Sequence, residues 1–135
     1  MGNAIQHLNI LAVLLAAVAY FALGALWYSP ILFGKQWAAL NNINMTDRSS
    51  LMRSMVVSFA CMLLMALVTG IMMALSRCKH YTDCLEVGIL LGAGYAGGIL
   101  GTTYTYQKKP LPLWFIDIGF HFCGIVLASA IIAAM

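Results

Sequence analysis

Four uninterrupted apolar runs, each near the length that crosses a bilayer, leave this chain few ways to fold. They cover about Leu8 to Leu26, Met55 to Leu75, Leu85 to Tyr104 and Leu113 to the chain end near Met135, and none holds a Lys or Arg in its interior. A helix needs roughly 20 mostly apolar residues to span the hydrocarbon core. Barrel strands alternate in polarity and are about half as long. Inside lipid the backbone must satisfy its own hydrogen bonds, and runs of this length do so as helices. The expected fold is all-α: an integral membrane bundle of four transmembrane helices with both termini on the same side.

Composition excludes the soluble alternative. Hydrophobic residues are 63% of the 135 and charged residues 8%, against about a quarter charged in soluble domains. A net charge of +3 spread along the chain gives no basic patch for nucleic acid. Membrane lipids are the expected surroundings. The stretch from Met1 to Asn9 has no Lys or Arg, which argues against a cleaved signal peptide, so the first helix is expected to stay. The whole chain reads as one domain, with spans at about 8–26, 55–75, 85–104 and 113–134.

Charge then orients the bundle. The first and third connections carry Lys35, Arg48, Arg53, Lys108 and Lys109, against Arg77 and Lys79 in the second. Cytoplasmic loops are enriched in such residues, so both termini are expected outside the cytoplasm. Between the first two spans, Trp27 to Trp37 contains aromatics suited to the headgroup level, and Pro30 should end the first helix at or before Ser29. Residues 27–40 are expected to lie as an interfacial segment. Trp114, Tyr104 and Tyr106 mark the same level on the other hairpin.

Two motifs carry a resemblance. Gly24-Ala-Leu-Trp-Tyr-Ser-Pro-Ile-Leu-Phe-Gly-Lys-Gln-Trp37 follows the first helix, and Pro110-Leu-Pro-Leu-Trp-Phe-Ile-Asp-Ile-Gly-Phe-His121 opens the last. Together they resemble the bacterial membrane family catalogued as domain of unknown function 1761. The positions that match its pattern are Trp27, Tyr28, Ser29, Pro30, Phe33, Gly34, Trp37, Asp117, Gly119 and His121. The resemblance implies a small polytopic membrane protein, mostly bacterial, and supplies no activity or substrate; the bacterial inner (cytoplasmic) membrane is the expected location.

Asp117 and His121 are the sharpest chemical feature. Ionisable groups inside a span cost several kcal/mol in most estimates and usually face the bundle interior or water. Their i, i+4 spacing puts them on one face, near enough to share a hydrogen bond. That face continues through Gly124 and Ala128, small residues that admit a neighbouring helix. The expected neighbour is the third helix, where Gly94, Gly97, Gly98 and Gly101 fall in one arc at about 100° per residue. Trp27, Tyr28 and Ser29 emerge at the same end. A wet vestibule is expected there, in which the pair can hold a proton, ligate a cation or orient a polar substrate. The same pair can instead be a structural tie from the last helix to Tyr28 or Ser29. The glycine arc likewise serves either close packing or a cavity. Gly88 and Gly92 lie on a different face at α-helical pitch, open to a second subunit or to the second helix.

The second loop holds Cys78, His80, Asp83 and Cys84. The spacing C-x-H-x3-C is not a recognised zinc pairing, and a Cys78–Cys84 disulfide is the alternative if the loop faces an oxidising compartment. The methionines of the second helix spread over several faces and read as packing residues. No motif calls for a cofactor or metal, and G-x-S-x-G, H-E-x-x-H and phosphate loops are absent from the sequence, so nothing identifies an enzyme. An intramembrane enzyme acting on a lipid-like substrate, with His121 as base and Asp117 orienting it, ranks last for want of a nucleophile or metal set. Two other functions, of different class, stand ahead of it. One is transport or permeation of a small solute or ion by a homo-oligomer through Asp117 and His121. The other is an accessory or scaffold subunit whose glycine faces bind another membrane protein.

Overall fold

The structure, a computed structural model, describes residues 8–43, 48–78 and 80–135, with the Arg48 side chain excepted. Lys79 and the Arg48 side chain, both used in the charge count, therefore lie outside the described residues, as do residues 1–7. The chain runs through α1 (Ile10–Trp27), α2 (Gly34–Asn41), α3 (Arg48–Leu75), α4 (Tyr81–Leu90), a π-helical segment (Leu91–Ala96), α5 (Gly97–Tyr106) and α6 (Leu111–Ala134). No strand occurs among the described residues. The fold is all-α, and among the described residues four helices are long and apolar enough to cross a membrane: Ile10–Trp27, Ser49–Leu75, Tyr81–Tyr106 and Leu111–Ala134.

Local chemistry sets the ends of these elements. Asn9 caps α1 by accepting the Ala12 N–H on its side chain at 3.2 Å, the usual task of an N-cap Asn. Pro30 follows the end of α1, and the chain turns back so that the Phe33 N–H donates to the Trp27 carbonyl at 3.0 Å. Gly34 makes this turn feasible, because a Cβ there would run into the Tyr28 and Ser29 backbone. Residues after Pro30 thus form a tight turn and a short helix, α2. Asp83 accepts the His80 N–H at 3.3 Å at the start of α4, and Pro110 precedes α6 as its N-cap.

The packing is the inverse of a water-soluble bundle. On α1 the buried residues are Ala12, Val13, Ala16, Ala17, Tyr20 and Gly24, while Ile10, Leu11, Leu14, Leu15, Val18 and Leu26 are exposed. Lipid gives no reason to hide large apolar groups, so small ones take the interior and let backbones approach. α6 is central, packing against α1, α3, α4 and the π segment. One seam is nearly all alanine, with Ala16, Ala17, Ala66 and Ala128 around Val13. Toward the 27–33 turn it gives way to a bulkier cluster of Tyr20, Met62, Phe120 and Ile125.

The third span departs from α-helical pitch, and this corrects the glycine arc. At about 100° per residue, Gly94, Gly97, Gly98 and Gly101 would share the face toward α6. The π segment widens the turn, and the face instead carries Gly88, Gly92, Gly97 and Gly101. A Cβ at these positions would meet Ser129, Phe122, Ile118 and Trp114 of α6, respectively. Gly94 and Gly98 point the other way, with no atom within 4 Å of where a Cβ would stand. Gly88 and Gly92, expected on a different face, are therefore packed against α6 together with Gly97.

Candidate functional site

Beyond Asp117, the i, i+4 face of α6 packs its small residues, Gly124 and Ala128, against α1 rather than against the third span. Tyr20 of α1 lies against Gly124, its ring filling the place of a Gly124 side chain. Ala128 joins Val13, Ala16 and Ala17 one turn further on. The reason is steric: the aromatic and alanine face of α1 fits the small stripe of α6, while the third span packs beside it.

Asp117 is buried, with 5% of its surface exposed. Its Oδ1 accepts the Tyr28 hydroxyl at 2.6 Å and its Oδ2 accepts the Tyr104 hydroxyl at 2.5 Å. One carboxylate thus joins three segments: the end of α1, the end of the third span and the first turns of α6. Two phenols occupy the carboxylate in a packed polar contact, and Tyr104, one of them, also borders an open cavity.

His121 has a separate partner. The Tyr20 hydroxyl lies 2.8 Å from His121 Nδ1, and the same hydroxyl is 3.9 Å from Met65 Sδ on α3. Asp117 and His121 share a face as expected, but each is held by its own tyrosine. Phe120 sits between the two bonds, 5.4 Å from the Tyr20 ring and 5.1 Å from the Tyr28 ring.

The other expected site residues divide. Trp27 docks on α6 by donating its indole N–H to the Ile116 carbonyl at 3.1 Å, and its ring lies against Gly119. Ser29 stays outside the cluster; its hydroxyl donates to the Leu26 carbonyl at 2.7 Å in its own helix end. Tyr20 was not singled out from the sequence, and Tyr104 was read only as an interface marker. Tyr20 was discoverable, since Tyr20, Gly24, Trp27 and Tyr28 recur at spacings of 4, 3 and 1, the pattern of one helix face.

At the other end of the molecule Cys78 and Cys84 are joined by a disulfide. His80 and Asp83 stand at the start of α4, and no group of three His, Cys, Asp or Glu side chains gathers among the described residues. Cys61 and Cys123 are free.

A family model described as "Protein of unknown function (DUF1761)" matches residues 11–133. The chain belongs to that family. No curated protein and no solved structure matches it.

Proposed function

We propose that this DUF1761 family member is an assembly subunit of the membrane, which works by presenting the outward face of its third span to another transmembrane helix. One observation carries this reading. Gly94 and Gly98 stand four residues apart, turned away from their own bundle and open beyond 4 Å, with exposed Thr102 one turn further along. Thr102 has its hydroxyl folded onto the Gly98 carbonyl at 2.9 Å, which keeps the strip low. Small residues at i and i+4 allow helix backbones in lipid to approach closely, and that approach drives association. The first partner is a second copy of the chain; another membrane protein is the alternative.

The buried Asp117 cluster supports the same reading from inside. A carboxylate with both oxygens occupied holds the bundle in one shape, as a rigid presenting surface requires. Transport through Asp117 and His121 has one observation in its favour: Tyr104, which binds Asp117, also borders an open cavity. A permeating solute would have to displace that phenol to reach the carboxylate.

The charge bias and the Cys78–Cys84 disulfide support the same orientation in a bacterial inner membrane. Disulfides persist in oxidising compartments, so the second loop and both termini face outward. A C-terminal alkaline phosphatase fusion should then be active; an inactive phosphatase with a fluorescent C-terminal GFP fusion would reverse the orientation.

The test of assembly is energy transfer between donor- and acceptor-labelled copies in liposomes, over a series of protein-to-lipid ratios. Transfer should persist on dilution and collapse in Gly98→Leu. A monomer at every ratio, or transfer unchanged by Gly98→Leu, would remove the second copy as the partner.

A further inference from the structure

The seam between the third span and α6 is open in two places. Near the connecting turn lies a cavity of about 320 Å³, lined by Gly101, Tyr104, Thr105, Lys109, Leu111 and Trp114. Further along the same two helices, away from the turn, Ala93 faces Phe115, Ile118 and Phe122 across a second cavity of about 270 Å³. The Trp114 and Phe115 rings, 4.8 Å apart, mark the step from one to the other.

Lys109 is placed at the upper cavity by the backbone. Lys108 takes a left-handed conformation with φ 52°, and the N–H groups of Lys108 and Lys109 donate to the Thr105 and Tyr104 carbonyls at 3.2 and 3.0 Å. This double bond pattern closes a helix end and turns Lys109 back toward it. Lys109 Nζ donates to the neutral Asn41 Oδ1 of α2 at 3.1 Å, which uses one of its three N–H donors. Among the described residues no carboxylate lines either cavity, and Asp117, behind Tyr104, has both oxygens engaged. Lys109 has no carboxylate partner among the described residues, so a cation stands at the helix ends, where headgroups lie, and mostly apolar walls lead toward the bilayer interior.

We infer that this seam binds an anionic phospholipid, its phosphate at Lys109 and one acyl chain running past Trp114 toward Phe122. A zwitterionic lipid fits the apolar walls but brings no net charge to the lysine. A small anion fits the lysine but leaves the walls bare. Anionic phospholipid satisfies both ends.

Native mass spectrometry of the purified full chain, titrated with phosphatidylglycerol or phosphatidylcholine of identical acyl chains, tests this. Phosphatidylglycerol should saturate at one molecule per chain and bind at least about fivefold more tightly, the contribution of one surface cation. Lys109→Gln should remove most of that preference, Lys109→Arg should keep it, and Lys35→Gln, on exposed α2, should leave it unchanged. Ala93→Phe, which fills the lower cavity from an exposed position, should weaken both lipids. Glycerol phosphate should not compete. Equal binding of the two lipids, equal losses in Lys109→Gln and Lys35→Gln, or displacement by glycerol phosphate would each overturn the proposal. Should Lys109→Gln fail to fold, the unmodified chain with the two lipids and the Ala93→Phe variant decide the matter.

Discussion

The Tyr104 hydroxyl donates to Asp117 Oδ2 at 2.5 Å across the turn that joins the third span to α6. Tyr28 meets the other oxygen from α1 at 2.6 Å, so the carboxylate is a three-way tie. In lipid, interhelical hydrogen bonds contribute on average ~0.6 kcal/mol and at most ~1.7 kcal/mol. A buried, doubly engaged acceptor belongs at the upper end of that range.

Tyr28→Phe and Tyr104→Phe should therefore each lower stability by about 1–1.5 kcal/mol. Asp117→Ala should cost about 2–4 kcal/mol, since it strands two part-buried hydroxyls at once. Unfolding by a denaturing detergent in mixed micelles measures these differences. Asp117→Ala costing no more than either single tyrosine variant would show that the tie carries little of the fold.

The glycines should split by what their Cβ would meet. Gly124→Ala drives into the Tyr20 ring, and moving that ring also breaks the Tyr20–His121 contact of 2.8 Å. The expected loss is about 3 kcal/mol, overpacking plus one hydrogen bond. Gly98→Ala, with open space around it, should cost the isolated chain nothing and stabilise it by up to about 1 kcal/mol, because helix propensity favours Ala and nothing is crowded. The same detergent titration, at a dilution where chains are separate, reads both.

Thiol chemistry gives a count. Cys78 and Cys84 are paired, and Cys61 and Cys123 are free. Denatured, unreduced protein should take two alkyl groups by mass spectrometry and four after reduction. Closing so short a loop should stabilise the native state by about 2 kcal/mol on the loop-entropy model, seen as an earlier unfolding midpoint in Cys84→Ser.

What the sequence made legible follows from which signals survive without neighbours. Long apolar runs flanked by Pro30, Pro110 and polar turns define membrane helices whatever surrounds them. Asp117 and His121 stood out because an ionisable group in such a run is costly, and Tyr28 because it lay at the right end of α1. Tyr20 was missed: an aromatic ring among apolar neighbours reads as filler until the partner of its hydroxyl is known. The glycine face was misread for a geometric reason. From Leu91 to Ala96 the helix has π pitch, so counting 100° per residue across it turns Gly94 and Gly98 inward when they point out. The partner of the α6 stripe was also out of reach, since the short turn after Tyr106 favours the third span and only packing shows that Tyr20 and the α1 alanines fit better.

Disulfide cross-linking between copies addresses the outward face most directly. In a chain with Cys61 and Cys123 replaced by Ser, a cysteine is placed at Gly98 or, as a control, at exposed Phe115 of α6, and the protein is oxidised in liposomes at low density. If the outward face of the third span joins two copies, Gly98→Cys should give covalent dimers and Phe115→Cys few. Equal yields from both positions, or none from either, would contradict it.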